Sequence, residues 1–404
     1  ILPIRIVKGL DIPIGGVPEQ VISDFGEPAS VALLGSDYVG LRPHMLVSEG
    51  DPVKLGQPLF SDRRHPDILF TAPASGVISA INRGTRRSLL SVVVTLEGDE
   101  EFTFPSWPAT RLDHLIAEEV TAALLESGLW TAIRERPFNR LADPRGTPNS
   151  IFVTAMDSNP LAANPERIIC EYSEDYLNGL RIIARLRDVP LHVCQMPRPK
   201  LPLPDVSNIT VNEFSGPHPS GLVGTHIHYL DPLGLGKCVW HLNYQDIIAI
   251  GRQFTTGHLW TKRVVALGGP GVTKPRLART RLGANLNELT HNELSACEVR
   301  VISGSILSGR RAQGAEAYLG RYHHQVTVIA EGSGDPAPSR LHRLLGLAGH
   351  SFSIYRAGTP NRTQRFAFGS IRHGDSTVMI PYGGYERVVP LDILPTQLLR
   401  ALLV

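Results

Sequence analysis

The stretch IFVTAMDSNPLAANPERIICEYSEDYLNGLRIIARLRDVPLHVC, residues 151–194, decides the fold class. Ile151 to Ala155 is a short apolar run that reads as a buried strand. From about Ser173 to Arg187 the period changes, and Tyr176, Leu177, Leu180 and Ile183 share one helix face. Val189 to Cys194 is strand again. Strand, helix and strand in so short a span form a crossover between parallel strands, so the sheet is covered by helices and the unit is α/β.

Working outward, Leu112, Leu115, Ile116, Val120 and Leu124 fall three or four apart, and Gly128 supplies a C-terminal stop. Residues 1 to about 100 have almost no helical period and read as short β segments: IRIV, SVALLG, ILFTAP, GVISAI and SVVVTLEG. On the other side, Asn243 caps a helix carrying Ile247, Ile250 and Phe254. A strand from Arg263 to Leu267 opens a smaller unit, in which Asn285 and Glu288 have the spacing of a capping box, with asparagine in place of Ser/Thr. From about residue 310 helix and loop mix, and the chain stops inside LLRALLV without a cap, as an unfinished helix or a truncated chain would.

A length of 404 residues implies two to four domains. The formal net charge of +2 gives no electrostatic case for nucleic acid. No apolar run approaches the ~20 residues that cross a bilayer, and Ile1 to Ile14 lacks the form of a signal peptide, so a soluble cytoplasmic chain is expected. Cysteines at 170, 194, 238 and 297 form no Cys-x-x-Cys pair and read as buried reduced thiols. Glycine and proline supply 70 residues, above the average share, which calls for many turns.

VSEGDPVKLGQPLF, Val47 to Phe60, followed by FTAPASGVISAI, Phe70 to Ile81, resembles the biotinyl/lipoyl carrier fold. Carriers present a lysine at the hairpin between those segments. Here that place reads SDRRHPDIL, Ser61 to Leu69, with Arg63 and Arg64 but no lysine. Arginine stays protonated and is a poor nucleophile for amide formation, so carrier activity is not expected.

LDPLGLGKC, Leu230 to Cys238, fails as a phosphate-binding loop, because Asp231 and Cys238 stand where glycine and Ser/Thr are required. GGPG, Gly268 to Gly271, reads as a tight turn after a strand. PHPSGLVGTHIHYLDP, Pro217 to Pro232, packs three histidines into a short span. On a strand, His226 and His228 would share one face, with His218 returning through the glycine turn. The leading reading is structural, with imidazoles bonding the backbone of the turn. A ligand-facing role comes second, and a metal third, since only Asp231 adds a nearby carboxylate.

KGLDIPI, YVGLRP, RPFNRLADP, FVTAMDSNPL, FSGPHPSGLVGTHIH, WHLNYQDIIAIG, TRLGANLNELT, ISGSILSGR, YLGRYHH and PLDILPTQLLR occur in order across essentially all 404 residues. Together they resemble the A subunits of sodium-translocating NADH:quinone reductases, a family whose members continue past the point where this chain stops. The resemblance implies α/β plus β architecture. Its parts are a lipoyl/biotinyl-like barrel-sandwich hybrid without the carrier lysine at 1–100, a Rossmann-like α/β domain at 101–258, a β-grasp (SLBB-like) ligand-binding domain at 259–310 and a C-terminal mixed helical region at 311–404.

That family is similar, domain for domain, to the flavin- and NADH-binding subunit of respiratory complex I, which has a glycine-rich flavin loop and a cysteine cluster. The matching place here reads SGLWTAIRERPFNRLADP, Ser127 to Pro144, with arginine and proline in place of glycine. Bulky cationic and ring-constrained side chains are therefore expected to fill the crevice, leaving this chain no redox cofactor and no metal of its own. Flavins and an iron–sulfur cluster would sit on other subunits, with ubiquinone the substrate of the complex. The resemblance implies a peripheral chain on the cytoplasmic face of the bacterial inner membrane, docked chiefly on the quinone-binding membrane subunit. The candidate quinone contacts are His218, His226, His228, Trp130, Phe138 and Arg140, with no catalytic residue among them. The alternative is a free-standing flavin- or nicotinamide-dependent oxidoreductase.

Overall fold

Strands covered on both faces should be apolar at successive positions, and Ile151–Thr154 is. Ile151 and Val153 pack with the helices Ser173–Leu186 and Tyr244–Thr256, while Phe152 points the other way and packs with Ile227 of the helix Val223–Leu230. The computed structural model describes residues 3–198, 200–295, 298–332, 365–370 and 383–403. Its seven-stranded α/β sheet runs, edge to edge, Ile4–Arg5, Ile209–Ser215, Leu191–Gln195, Ile151–Thr154, Val239–Asn243, Arg134–Arg136 and Arg140–Leu141. The first five are parallel, and the last two form an antiparallel hairpin on Val239–Asn243.

The two long helices cross at glycines. A Cβ on Gly251 would lie 1.8 Å from the Asp175 carbonyl oxygen, and one on Gly179 would lie 2.0 Å from that of Ile247. Only glycine permits that approach. The helix expected around Leu112–Leu124 is split. A 3-10 turn at Ala109–His114 precedes the helix Ala117–Glu126, whose Glu119 carboxylate accepts the Ile116 N–H, and Gly128 follows with φ +75°. Asn243 caps its helix as read, accepting the Gln245 N–H.

The N-terminal sandwich pairs Ser30–Leu34, Leu89–Leu96, Gly76–Arg83 and Pro52–Val53 in one sheet and Pro43–Met45, Pro58–Asp62 and Leu69–Thr71 in the other. Phe60 and Phe70 stack across the hairpin at 4.5 Å, so the loop between carries Arg63 and Arg64 outward. The turn joining Gly76–Arg83 to Leu89–Leu96 closes through Ser88 N–H to Thr85 O, with Arg86 and Arg87 both left-handed at φ +56° and +58°. Hairpins put Asn-Gly at such a pair, because a side chain in that region costs about 1–2 kcal/mol per residue.

The third sheet runs Arg310–Arg311, Val299–Ser303, Gln325–Ala330, Lys262–Gly268, Arg276–Arg281 and Glu19–Asp24, with the helix Leu286–Thr290 packed on it. Gln325–Ala330 lies beyond residue 310 and pairs with Lys262–Gly268 in parallel; Ile4–Arg5 and Glu19–Asp24 lend the first part of the chain to the other two sheets. Asn285 caps its helix through Asn287 N–H, but Glu288 does not return to the Asn285 N–H. It bonds Ala29 N–H and Ser30 Oγ instead, tying this unit to the sandwich. Beyond residue 332 the described helices are Gly384–Val388 and Pro395–Leu403, and most of the expected C-terminal region lies outside the described residues.

Candidate functional site: a crevice at the switch point of the parallel sheet

From Ile151–Thr154 the chain builds the sheet to one side, through Leu191–Gln195 and Ile209–Ser215. It then returns to the other side at Val239–Asn243. Thr154 and Asn243 face each other in register at the carboxyl ends of that central pair. Loops leaving the two strands in opposite directions open a crevice there, the usual ligand position in an open α/β sheet. A cavity of about 920 Å³ lies at this point, lined by Thr154, Met156 and Asp157 from one loop, Leu242 and Asn243 from the other, and Arg134 and Arg136 from the hairpin. The crevice is thus not filled, contrary to the expectation drawn from Ser127–Pro144; Arg134 and Arg136 of that stretch form a wall instead.

That wall is cationic. Arg134 and Arg136, two apart on one strand, share a face. The Arg134 guanidinium sits 4.0 Å over the Tyr322 ring, and its buried Nε has no hydrogen-bond partner. Arg136 Nε donates to His241 Nε2 at 3.4 Å. Burial, then the two arginines, hold His241 well below the usual histidine range, so its neutral ring can accept that bond. The loop after Thr154 offers a carboxylate, not a cradle of N–H groups. Asp157 accepts from Asn159 N–H and Nδ2, and burial raises its pKa despite those bonds. No glycine occurs between Ala155 and Asn178.

Beneath the crevice an ion cluster joins the units. Asp246 Oδ1 accepts from Arg263 at 2.7 Å and from Arg321 at 2.8 Å, all three fully or nearly buried. The Arg321 N–H donates to Asp37 Oδ2 in the sandwich, and Asp37 Oδ1 takes Arg310 at 2.6 Å. His323 and His324 line the crevice beside this cluster, and burial lowers them to about 4 and about 3.

The sequence candidates scatter around this place. His226 and His228 lie on a helix, not a strand, so residues two apart point to different sides. Leu222 caps that helix without a side-chain bond, leaving no local signal for its start. Each histidine braces a different segment: His218 Nδ1 lies 3.0 Å from Ser158 O, His226 Nε2 2.9 Å from Ser220 O, and His228 Nε2 accepts Asp392 N–H. Among the described residues no group of three or more His, Cys, Asp or Glu side chains is placed to hold a metal ion. Trp130 is buried, donating to Ala142 O and meeting Trp240 edge-on. Phe138, 69% exposed, lies under the Arg140 guanidinium at the tip of the wall hairpin. None of the six lines the cavity itself.

The residues that do include Arg134 and Arg136, which the sequence places at the crevice only as fillers, and His241, Tyr322, His323 and His324, which it does not single out. The alternation of RER and the run YHH were their signals. Of the cysteines read as buried, Cys194 is buried, Cys170 is exposed and Cys238 half-buried; Cys297 lies outside the described residues.

Fold and crevice define an α/β chain with an open switch-point crevice, fused to a carrier-type sandwich that lacks its attachment lysine and to a β-grasp sheet. Family models agree unit by unit: the NqrA N-terminal barrel-sandwich hybrid domain matches residues 4–97, the NqrA second alpha/beta domain 115–259 and the NQRA C-terminal (SLBB) domain 264–314. The A subunit of the Na(+)-translocating NADH-quinone reductase of Pseudomonas aeruginosa is 53% identical over 402 residues, covering 99% of this chain and 89% of that one. Proteins of the same name from Histophilus somni and Haemophilus influenzae are 53% and 50% identical over 403 residues, with the same coverage. The chain belongs to the A subunits of the Na(+)-translocating NADH-quinone reductase, and so to a multi-subunit oxidoreductase that moves sodium. Among the described residues no helix is long and apolar enough to cross a membrane.

Proposed function

We propose that this chain sits peripherally on the cytoplasmic face of the complex and helps hold ubiquinone, without a redox cofactor of its own, while docked chiefly on the quinone-binding membrane subunit. The observation that carries the reading is the crevice. It is open at about 920 Å³, within the range of small-molecule sites, yet it presents guanidinium donors and the Asp157 carboxylate in place of a glycine-rich N–H cradle. A nucleotide phosphate would meet Asp157 at the first strand–helix turn, whereas a neutral quinone would not. Arg136, with its hydrogen bond held by neutral His241, can donate to a quinone carbonyl. Val39 and Leu222, exposed at the rim, can line the start of an isoprenoid tail, at roughly 25 cal/mol per Å² buried. Phe138 and Arg140 belong to the same wall and are proposed as outer contacts, while His218, His226 and His228 set the shape of the opposite rim.

The test is the visible spectrum and NADH–ferricyanide activity of the purified full chain. A colourless, inactive protein is expected. A yellow protein with turnover would replace this reading with that of a flavin-dependent oxidoreductase.

A further inference from the structure

A second concavity lies on the sandwich and adjoins the crevice at Ser36, which lines both, but its own lining is a set of arginines that the crevice does not share. It measures about 1180 Å³ and is lined by Arg42, Arg63, Arg64, Arg83, Arg86 and Arg87, all exposed. In a chain of net charge +2 this concentration is not a sampling of the average surface. None of the six guanidiniums forms an ion pair among the described residues; the nearby pairs belong to Arg145 with Asp67 and Arg310 with Asp37. Two nearby carboxylates meet neutral donors and make no ion pair with these arginines among the described residues. Asp62 accepts the backbone N–H groups of Arg42 and Arg64, and Glu316, the one acidic residue lining the groove, accepts from Ser36 Oγ.

A solvated face would also be expected to put its arginines on relaxed backbone. Arg86 and Arg87 instead occupy two consecutive left-handed positions of a tight hairpin turn, where Asn-Gly would fit without strain. Arg63 and Arg64 occupy the opposite hairpin. Strain held at the rim of a charged concavity marks a functional surface.

We infer that this groove binds a phosphate-bearing anion with at least two phosphoryl charges' worth of negative charge, either free or as the headgroup of an anionic phospholipid. All six cations are arginine, whose planar fork engages phosphate oxygens in pairs. Each free phosphate carries about −1.5 to −2 charge at neutral pH, so two of them offset more than half of the groove's charge within its volume, whereas diester headgroups, at about −1 each, would have to gather three or four together. A carboxylate segment would need a run of about three or four acidic residues to do the same.

The test compares the full chain with the variant R86N/R87G, which places the favoured residues in the turn and should fold at least as stably. Inorganic pyrophosphate binding is measured by calorimetry at two salt concentrations, and cosedimentation is measured with phosphatidylglycerol–phosphatidylcholine vesicles and with pure phosphatidylcholine. The wild-type chain is expected to bind pyrophosphate, the anionic vesicles or both, more weakly at high salt. R86N/R87G should lose roughly tenfold or more while its thermal midpoint holds or rises. R63Q/R64Q, on the other hairpin, should lose a similar factor. Pyrophosphate binding alone assigns a free phosphate, and vesicle binding alone assigns a lipid headgroup. Binding to neither, equal binding by the variants, or tighter binding of a hexaglutamate peptide than of pyrophosphate would overturn the inference.

Discussion

Asp246→Asn isolates the charge that holds the three units together. In the native chain one oxygen of Asp246 accepts from both Arg263 and Arg321. An asparagine with its oxygen turned the same way keeps both acceptor contacts and removes only the negative charge. Asp246 and Arg263 are each 1% exposed, so solvent cannot replace it. Breaking a buried pair in this way costs about 3–5 kcal/mol, because two guanidiniums remain buried without their shared carboxylate. At roughly 2 °C per kcal/mol for a chain of this size, the thermal midpoint should fall by roughly 6–10 °C. Arg263→Gln alone should cost less, since Asp246 and Arg321 then remain a neutral pair. The double variant should therefore lose less stability than the sum of the two singles, by more than about 1 kcal/mol. The assay is denaturant unfolding of the four proteins of the cycle. A loss under ~1 kcal/mol for Asp246→Asn, or strict additivity, would refute the reasoning.

Four outcomes follow from other parts of the structure. Burial holds His226 and His323 near 4, below the ordinary value of ~6.5. The unfolded chain takes up these protons first, so stability should fall as pH drops from about 6.5 toward 4, by about 3 kcal/mol per histidine. Replacing His226 by leucine should flatten the pH dependence of the denaturant midpoint by up to one proton, and an unchanged slope would contradict it. The Asp246 carboxyl is pushed up by burial but pulled further down by Arg321 and Arg263, so its contribution is present above the unfolded carboxylate value of ~3.9 and disappears only at still lower pH. Gly251→Ala drives a methyl into the Asp175 carbonyl at the helix crossing and should lower stability by about 1–3 kcal/mol or more in urea unfolding. Burial raises the Cys194 thiol beyond reach, so a thiol reagent on the native chain should label exposed Cys170 and leave Cys194 until unfolding, which peptide mapping can check.

The α/β core was legible because its signals are local. Tyr176, Leu180 and Ile183 form a helix stripe buried as read, and Asn243 caps where it should. The glycine and proline pattern of the sandwich was equally local: Gly56 turns at φ +84° and Gly76 at φ +151°. Long-range pairing was not legible. Nothing in IRIV says that Ile4–Arg5 joins a strand two hundred residues later, and nothing in QVTVIA says that it becomes a central strand beside Lys262–Gly268. The three histidines do bond backbone groups, the leading reading from sequence, but the strand that would have aligned His226 and His228 is a helix: glycines and mixed side chains around Val223–Leu230 give neither period clearly, and the helix starts without a capping side chain. Arg134 and Arg136 became visible as a site only when the switch point placed them across from Thr154 and Asn243. Arginine in place of glycine predicted a blocked crevice, whereas the hairpin carries those side chains along the wall and leaves the space open.

The most direct test of the crevice as a quinone site is the ubiquinone KM of the assembled reductase carrying Arg136→Leu, measured beside its NADH KM. Loss of a charged donor to a quinone carbonyl should raise the quinone KM about tenfold or more and leave the NADH KM where it was. A quinone KM equal to that of the unmodified complex would contradict the assignment.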